Sequence, residues 1–224
     1  MHAIDIMGRD VVTVGPDTDV LEAARLMAEH DVSALPVVDE GGRVVGIISE
    51  ADLIHREEIG TTKQRPWWLE AVTPAATLAE EFAKSHGRKV SELMSAHVVS
   101  CGEDMTLSEI AALLERHRIK RVPVLREGVL VGIVSRANLI QALASVKQPS
   151  AAALDADRAI RAEVLKKLEA QSWTDFGSRN IIVTDGVVHI WGLVGSENER
   201  TGLVALAESI PSAKGVVDET IAAY

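Results

Sequence analysis

Ser49 and Asp52 stand three residues apart at the end of an apolar run, and Ser135 and Asn138 repeat the arrangement. A Ser opening a helix, with an acid or amide three residues on, forms a capping box and needs no ligand. The same residues also suit a nucleotide. A helix start offers free amides and partial positive charge to a phosphate. The hydroxyl adds one hydrogen bond, and a carboxylate one turn in can accept from both hydroxyls of a ribose. Both readings fit. Asn138 lacks the charge that lets a carboxylate accept two bonds strongly, so the second segment is expected to hold a ribose less well or stay empty. Positive charge gathers in Arg116-His117-Arg118-Ile119-Lys120-Arg121, whose counterpart Glu29-His30-Asp31-Val32-Ser33-Ala34 has no Lys or Arg. Basic residues at a helix end are ordinarily solvated and complement the dipole, which accounts for Arg116 and Arg118; His30 and His117 read as cap-side histidines. Cys101 reads as the filler of a small apolar site. There is no His-Glu-x-x-His, P-loop, Gly-x-Ser-x-Gly or paired His/Asp ligand spacing, so no catalytic or metal-binding residue is assigned.

These residues belong to a stretch that occurs twice. Ile6-Met7, Val11-Val12-Thr13-Val14, Leu35-Pro36-Val37-Val38 and Val45-Gly46-Ile47-Ile48-Ser49 recur as Leu93-Met94, Val98-Val99-Ser100-Cys101, Val122-Pro123-Val124-Leu125 and Val131-Gly132-Ile133-Val134-Ser135. The offset is 87 residues up to the prolines and 86 beyond them, because Asp39-Glu40-Gly41-Gly42-Arg43 is one residue longer than its counterpart. A length change at a Gly-rich hairpin with intact flanking strands fits two folded copies. In each copy a helix follows the first strand. Asp19 and Glu22, then Thr106 and Glu109, have capping-box spacing. Val20, Ala23, Ala24 and Met27, and Leu107, Ile110, Ala111 and Leu114, form single apolar stripes. Strand, hairpin and strand come next, and Ser49 or Ser135 opens a second helix. Three short strands make a poor core alone, so the copies are expected to need each other.

Between the copies, 57–89 reads as an insert with a helix. Thr73-Pro74 resembles a helix start, Leu78 and Phe82 lie one turn apart, and Gly87 could end the helix. Trp67, Trp68 and Phe82 either pack this insert onto the fold or form an exposed contact for a partner or membrane. The stretch 147–154, with Gln148-Pro149-Ser150-Ala151-Ala152-Ala153, reads as a linker to a separate unit over 155–224. In that unit Asp157 to Gln171 is expected to be helical. Strands 180–184 and 187–191 flank the hairpin signal Asp185-Gly186. Ser196 and Glu199 box a second helix, and Gly215-Val216-Val217 starts a last strand. Trp173 and Trp191 are expected to pack this unit's core, with their indole nitrogens bonded or near water.

Composition narrows the function classes. With 224 residues and 47% hydrophobic content the chain can build real cores. No apolar run approaches the ~18 residues that would span a bilayer, and no export signal is seen, so a cytoplasmic protein is expected. One cysteine excludes an internal disulfide and any multi-cysteine metal site. A net charge of −10 argues against non-specific nucleic-acid binding. The last seventy residues carry seven Lys/Arg against eleven Asp/Glu, so anionic lipid does not attract them electrostatically.

The paired Gly-h-h-Ser-x-x-Asp/Asn and h-Pro-h-h segments resemble a tandem pair of CBS (cystathionine-β-synthase) domains, with copies at 1–56 and 90–146. The resemblance implies an α/β (α+β) fold in which two β-α-β-β-α units pack as a pseudo-twofold pair. It also implies homodimers and a regulatory, non-enzymatic role in which clefts between the units bind AMP, ADP, ATP, NAD or an S-adenosyl compound. Carried over by position, Ser49 and Ser135 lie on the phosphate side, with Lys120, Arg121 and Arg136. Asp52 and Asn138 lie on the ribose side. Ser33 and Ala34 form a base-contacting strand edge, Thr13 and Ser100 are the polar residues ending each first strand, and Pro36 and Pro123 complete the set. The pattern from Ile182-Val183 through Gly186-Val187-Val188, Ile190, Gly192 and Val194 to Ile210-Pro211 and Gly215-Val216-Val217 resembles a BON (bacterial OsmY and nodulation) domain of α-β-β-α-β order. That implies a phospholipid or protein partner and no catalytic residues. Phe176-Gly177-Ser178-Arg179 departs from the usual lead-in.

Overall fold

The computed structural model describes residues 1–54, 56, 59–61, 73–74, 77, 86–145, 151–174 and 181–223. Trp67, Trp68, Leu78 and Phe82 of the insert, and Phe176-Gly177-Ser178-Arg179, lie outside these residues. The first repeat runs through α1 (Ala3–Ile6), α2 (Val20–Glu29), β1 (Ala34–Val38), β2 (Val44–Ser49) and α3 (Glu50–Leu53). The second runs through α4 (Val90–Leu93), β3 (Cys101–Gly102), α5 (Leu107–Arg116), β4 (Arg121–Arg126), β5 (Val129–Ser135) and α6 (Arg136–Ser145). The C-terminal domain comprises α7 (Ala151–Glu169), β6 (Ile181–Thr184), β7 (Val187–Val194), α8 (Glu197–Glu208) and β8 (Gly215–Ala222).

The chain folds as two compact units whose boundaries are not those of the repeats. The smaller holds Val12–Val99 and Glu127–Leu130; the larger holds Met1–Val11, Ser100–Arg126 and Val131–Tyr224. Each unit thus takes its short leading helix from the sequence that opens the other repeat. In the smaller unit Val90 and Leu93 of α4 join Val14, Val20, Ala23, Met27, Leu35, Val37 and Ile48 in one core. In the larger, Ala3, Ile6 and Met7 join Cys101, Ile110, Leu114, Val122, Val124 and Val134. A glycine marks each seat. A Cβ on Gly132 would meet Met7 Sδ at 2.7 Å and Gly8 O at 2.8 Å, and one on Gly46 would run into the Met94 side chain.

Within each repeat the local chemistry holds the elements in place. Thr106 and Glu109 form the expected box, Glu109 N donating to Thr106 Oγ1 at 3.3 Å and Thr106 N to Glu109 Oε2 at 2.9 Å. Asp19 instead caps through Leu21 N at 2.8 Å, and Glu22 pairs with Arg25 at 3.0 Å, so the box expected there is only half made. Both helices end alike: His30 and His117 are the C-caps, Asp31 (φ 49°) and Arg118 (φ 54°) turn left-handed, and Val32 N and Ile119 N reach back to Met27 O and Leu114 O. That is the helix ending usually built on glycine. In the smaller unit β1 and β2 are antiparallel, with Ala34 opposite Ser49, and the first extended segment joins them only through a parallel bridge of Val14 to Val37. The larger unit orders its strands β3-β4-β5, with Cys101 parallel to Val124.

The C-terminal sheet has the order β6-β7-β8, with β6–β7 antiparallel and β7–β8 parallel. Asp185 (φ 52°) and Gly186 (φ 83°) make the expected hairpin turn, and buried Asp157 accepts both of its amides at 2.9 and 2.7 Å. One sheet face supplies Ile181, Val183, Val188, Ile190 and Val194 to a core with Ile160, Val164, Leu165 and Leu168 of α7 and Leu203 and Ala207 of α8. Ser196 caps α8 through Glu199 N, but Glu199 returns to Gly195 N rather than to the cap residue. Three expectations change. Helix α7 begins at Ala151, inside the stretch read as linker, and ends at Glu169. The domain lies in the same compact unit as the second repeat. Trp191 packs on the second repeat's core rather than its own, because odd positions of β7 face away from the helices. Trp173 is not in its domain's core either: it lies over Gly202 and is 44% exposed, although its Nε1 is bonded as expected, donating to Gln171 at 2.8 Å.

Candidate functional site

The two prolines decide where each parallel ladder stops. Val14 N donates to Pro36 O and Val38 N to Val14 O. The next rung would require an N–H on residue 36 pointing toward Val12, and proline has none. The ladder therefore ends at Val14, and half-buried Thr13 lies beyond it. The same register, Cys101 on Val124, puts Pro123 opposite the gap and leaves Ser100 outside the two-residue β3. Each repeat thus places a hydroxyl residue at the frayed end of its sheet.

The second group sits where the last strand passes into a helix. In the smaller unit Glu50 N donates to Ser33 O at 3.1 Å and Ala34 lies opposite Ser49, so the start of β1 and the end of β2 adjoin. Ser49 N and Oγ both donate to Asp52 Oδ2, at 3.0 and 2.8 Å. In the larger unit Arg136 N donates to Lys120 O at 3.1 Å, and Ser135 N and Oγ both donate to Asn138 Oδ1 at 2.8 Å. Asn138 also donates through its own N to Ser135 Oγ and through Nδ2 to Gln141 Oε1. The amide therefore reproduces the carboxylate's capping role atom for atom. The copies differ in what remains for a ligand: a second carboxylate oxygen on Asp52, and a donor NH2, already turned to Gln141, on Asn138.

The thirteen expected residues divide into two groups, one in each unit. Thr13, Ser33, Ala34, Pro36, Ser49 and Asp52 belong to the smaller unit; Ser100, Lys120, Arg121, Pro123, Ser135, Arg136 and Asn138 belong to the larger. The clusters are not electrostatically equal. The first carries Glu50 and Asp52 on α3, a single turn of four residues with little dipole behind it. The second carries exposed Lys120 and Arg136 and half-buried Arg121 at the start of the ten-residue α6. An anionic group is better served at the second cluster, and a diol seeking acceptors at the first.

Contacts from the C-terminal domain were not expected from the sequence. Ser145, the last residue of α6, receives Trp191 Nε1 on its hydroxyl at 3.2 Å and Thr184 Oγ1 on its carbonyl at 2.9 Å. Arg161 and Arg158 of α7 reach the first residues of the chain. A basic residue at a buried helix position was the available signal, since Arg161 lies one residue after Ile160 on the face that carries Val164, Leu165 and Leu168. Among the described residues no group of His, Cys, Asp and Glu side chains could hold a metal ion, and no helix is long and apolar enough to cross a membrane.

The CBS domain pattern matches residues 3–58 and 90–145, and the BON domain pattern matches residues 156–223. An uncharacterized protein of Methanocaldococcus jannaschii is 36% identical over 150 residues, which is 62% of this chain and 89% of that protein. YhcV, a CBS domain-containing protein of Bacillus subtilis, is 34% identical over 135 residues, 60% of this chain and 80% of its own length. Among solved structures, that of CBSX2 in complex with AMP is similar at 27% identity and a TM-score of 0.57, covering 66% of this chain and 99% of the other.

Proposed function

This chain belongs to the CBS domain family and carries a BON domain at its C-terminus, and on that premise we propose that it is a non-enzymatic regulator that binds an adenine nucleotide through its repeats. The observation that carries the proposal is the doubled stitching of Ser49 to Asp52 and Ser135 to Asn138. Each repeat also has a proline-terminated ladder that leaves a hydroxyl, Thr13 or Ser100, out of the sheet. The similarity to a CBS protein in complex with AMP supports an adenine ligand, with ADP, ATP, NAD and S-adenosyl compounds as competitors in the test. In this reading Asp52 accepts from ribose hydroxyls. Lys120, Arg121 and Arg136 attract phosphate, with Ser49 and Ser135 as donors to it, and Ser33, Ala34, Pro36 and Pro123 border the base. The protein acts in the cytoplasm as a homodimer, and its BON domain passes the signal to a protein or membrane partner. Ligand binding changes the arrangement only as far as its affinity differs between the two states.

The competing reading, an interaction scaffold with vestigial pockets, draws on Asn138 and on the net charge of −10. Calorimetry of the full chain against the adenine panel separates them. Asp52→Asn is the informative variant, because Asn138 shows that an amide keeps the cap intact. Saturable binding that weakens on the order of ten- to a hundredfold in Asp52→Asn, with an unchanged melting temperature, is expected from losing a charged acceptor. Absence of binding across the panel supports the scaffold, and binding indifferent to Asp52→Asn and Asn138→Ala overturns the site assignment.

A further inference from the structure

The C-terminal domain holds the second repeat's core at two places: on the opening segment that pairs with β5, the strand ending in Ser135, and on α6, the helix carrying Asn138. The first grip is on the start of the chain. Arg161, 4% exposed, donates Nη2 to Met7 O at 2.8 Å, Nη1 to Ile4 O at 3.2 Å and Nε to Ile181 O at 2.9 Å. Arg158 donates Nε to Asp5 Oδ1 at 2.6 Å and Nη2 to Asp5 Oδ2 at 3.3 Å. The segment so held continues into Gly8, whose amide and carbonyl both pair with Ile133 of β5, at 2.9 and 2.8 Å, while Met7 fills the space over Gly132. Ile133 lies two residues before Ser135. The second grip is on Ser145 of α6, through Trp191 and Thr184. Ile182 and Trp191 enter the same apolar cluster as Leu139 and Ala142 of that helix. Asn138 lies about two turns up α6 from Ser145.

We infer that the BON domain is a latch on the second repeat: by holding residues 4–7 and the end of α6, it fixes the strand-to-helix turn at Ser135–Asn138. Arg161, Thr184 and Trp191 are then positioning residues for a ligand at that turn. The ligand clause rests on the function proposed above; the latch does not. Burying a guanidinium against three carbonyls is stabilising only while all three stay in place, because loss of the contact leaves buried acceptors unpaired. The grip is therefore bistable rather than graded. By linkage, a ligand that orders the turn tightens the grip, and a partner that pulls the BON domain away loosens the turn by the same factor.

Hydrogen exchange and calorimetry on the full chain test this, with AMP as the probe. The double variant Trp191→Phe, Thr184→Val removes both bonds to Ser145 while keeping an aromatic ring and a β-branched side chain, and Arg161→Met releases the other grip. Exchange over 136–145 is expected to rise on the order of tenfold in the double variant, with 12–54 unchanged, and AMP affinity at the site sensitive to Asn138→Ala to fall by a similar factor. Wild-type exchange over 136–145 in both variants overturns the latch. Raised exchange with unaltered AMP affinity overturns the positioning role. If wild-type binding is indifferent to Asn138→Ala, the functional reading of that turn fails, and exchange alone decides the latch.

Discussion

At the scale of single residues, small differences between equivalent positions carry much of the meaning. Asp52 and Asn138 make the same cap and differ only in the group left over, so the substitution is silent for the fold and costly only for a ligand. Cys101 replaces Val14 as the residue that meets the central strand. It is buried in the second repeat's core, and burial pushes its thiol up to about 11. The thiolate is the reactive form, so alkylation at pH 8 is expected to be slow and to climb toward pH 11, whereas the denatured chain should react with a midpoint near 8.5. A native midpoint near 8.5 would mean that Cys101 is open to solvent. The neutral thiol is preferred in the fold, so its contribution to stability is intact below about pH 8.5 and is lost as pH rises toward 11.

At the scale of elements, the exchange of α1 and α4 explains a pattern that the repeat alone leaves unexplained. Met7 and Met94 are equivalent, Gly132 and Gly46 are equivalent, and each methionine seats on the glycine of the opposite repeat. The two sites nevertheless differ in what a methyl group would meet. At Gly132 it strikes the Gly8 carbonyl, which is held in a backbone bridge, whereas at Gly46 it meets only the flexible Met94 side chain. Gly132→Ala is therefore expected to destabilise by about 1–3 kcal/mol in urea unfolding and Gly46→Ala by less. Equal losses would show that methionine packing, not the carbonyl, sets the limit. Neither helix was foreseen as a helix. Each is four residues long, too short for a periodic stripe, and such a helix persists only through tertiary contacts. The ten-residue α2 and α5, with caps and full stripes, were plain from the sequence.

At the scale of the whole molecule, the C-terminal domain is part of the second repeat's stability. Ala3, Ile6 and Ala142 are at most 1% exposed and share a cluster with Ile182. A chain ending at residue 150 is expected to melt several degrees lower, since about 1 kcal/mol shifts a chain of this size by roughly 2–4 °C. In the full chain, residues 100–145 and 155–223 should exchange in one cooperative class; independent classes would contradict the shared unit. The two repeats, their hairpins and long helices, and the element order of the C-terminal domain are legible in the sequence. Period, caps and turn residues are local properties, and a duplicated pattern is visible without coordinates. Only the tertiary structure decided that the leading helices change places, that the prolines cut the ladders beside Thr13 and Ser100, and that Trp191 and Arg161 serve the second repeat. Each depends on which surfaces meet. A buried face can be read from one segment, but the segment that buries it lies up to 157 residues away, as Arg161 does from Ile4.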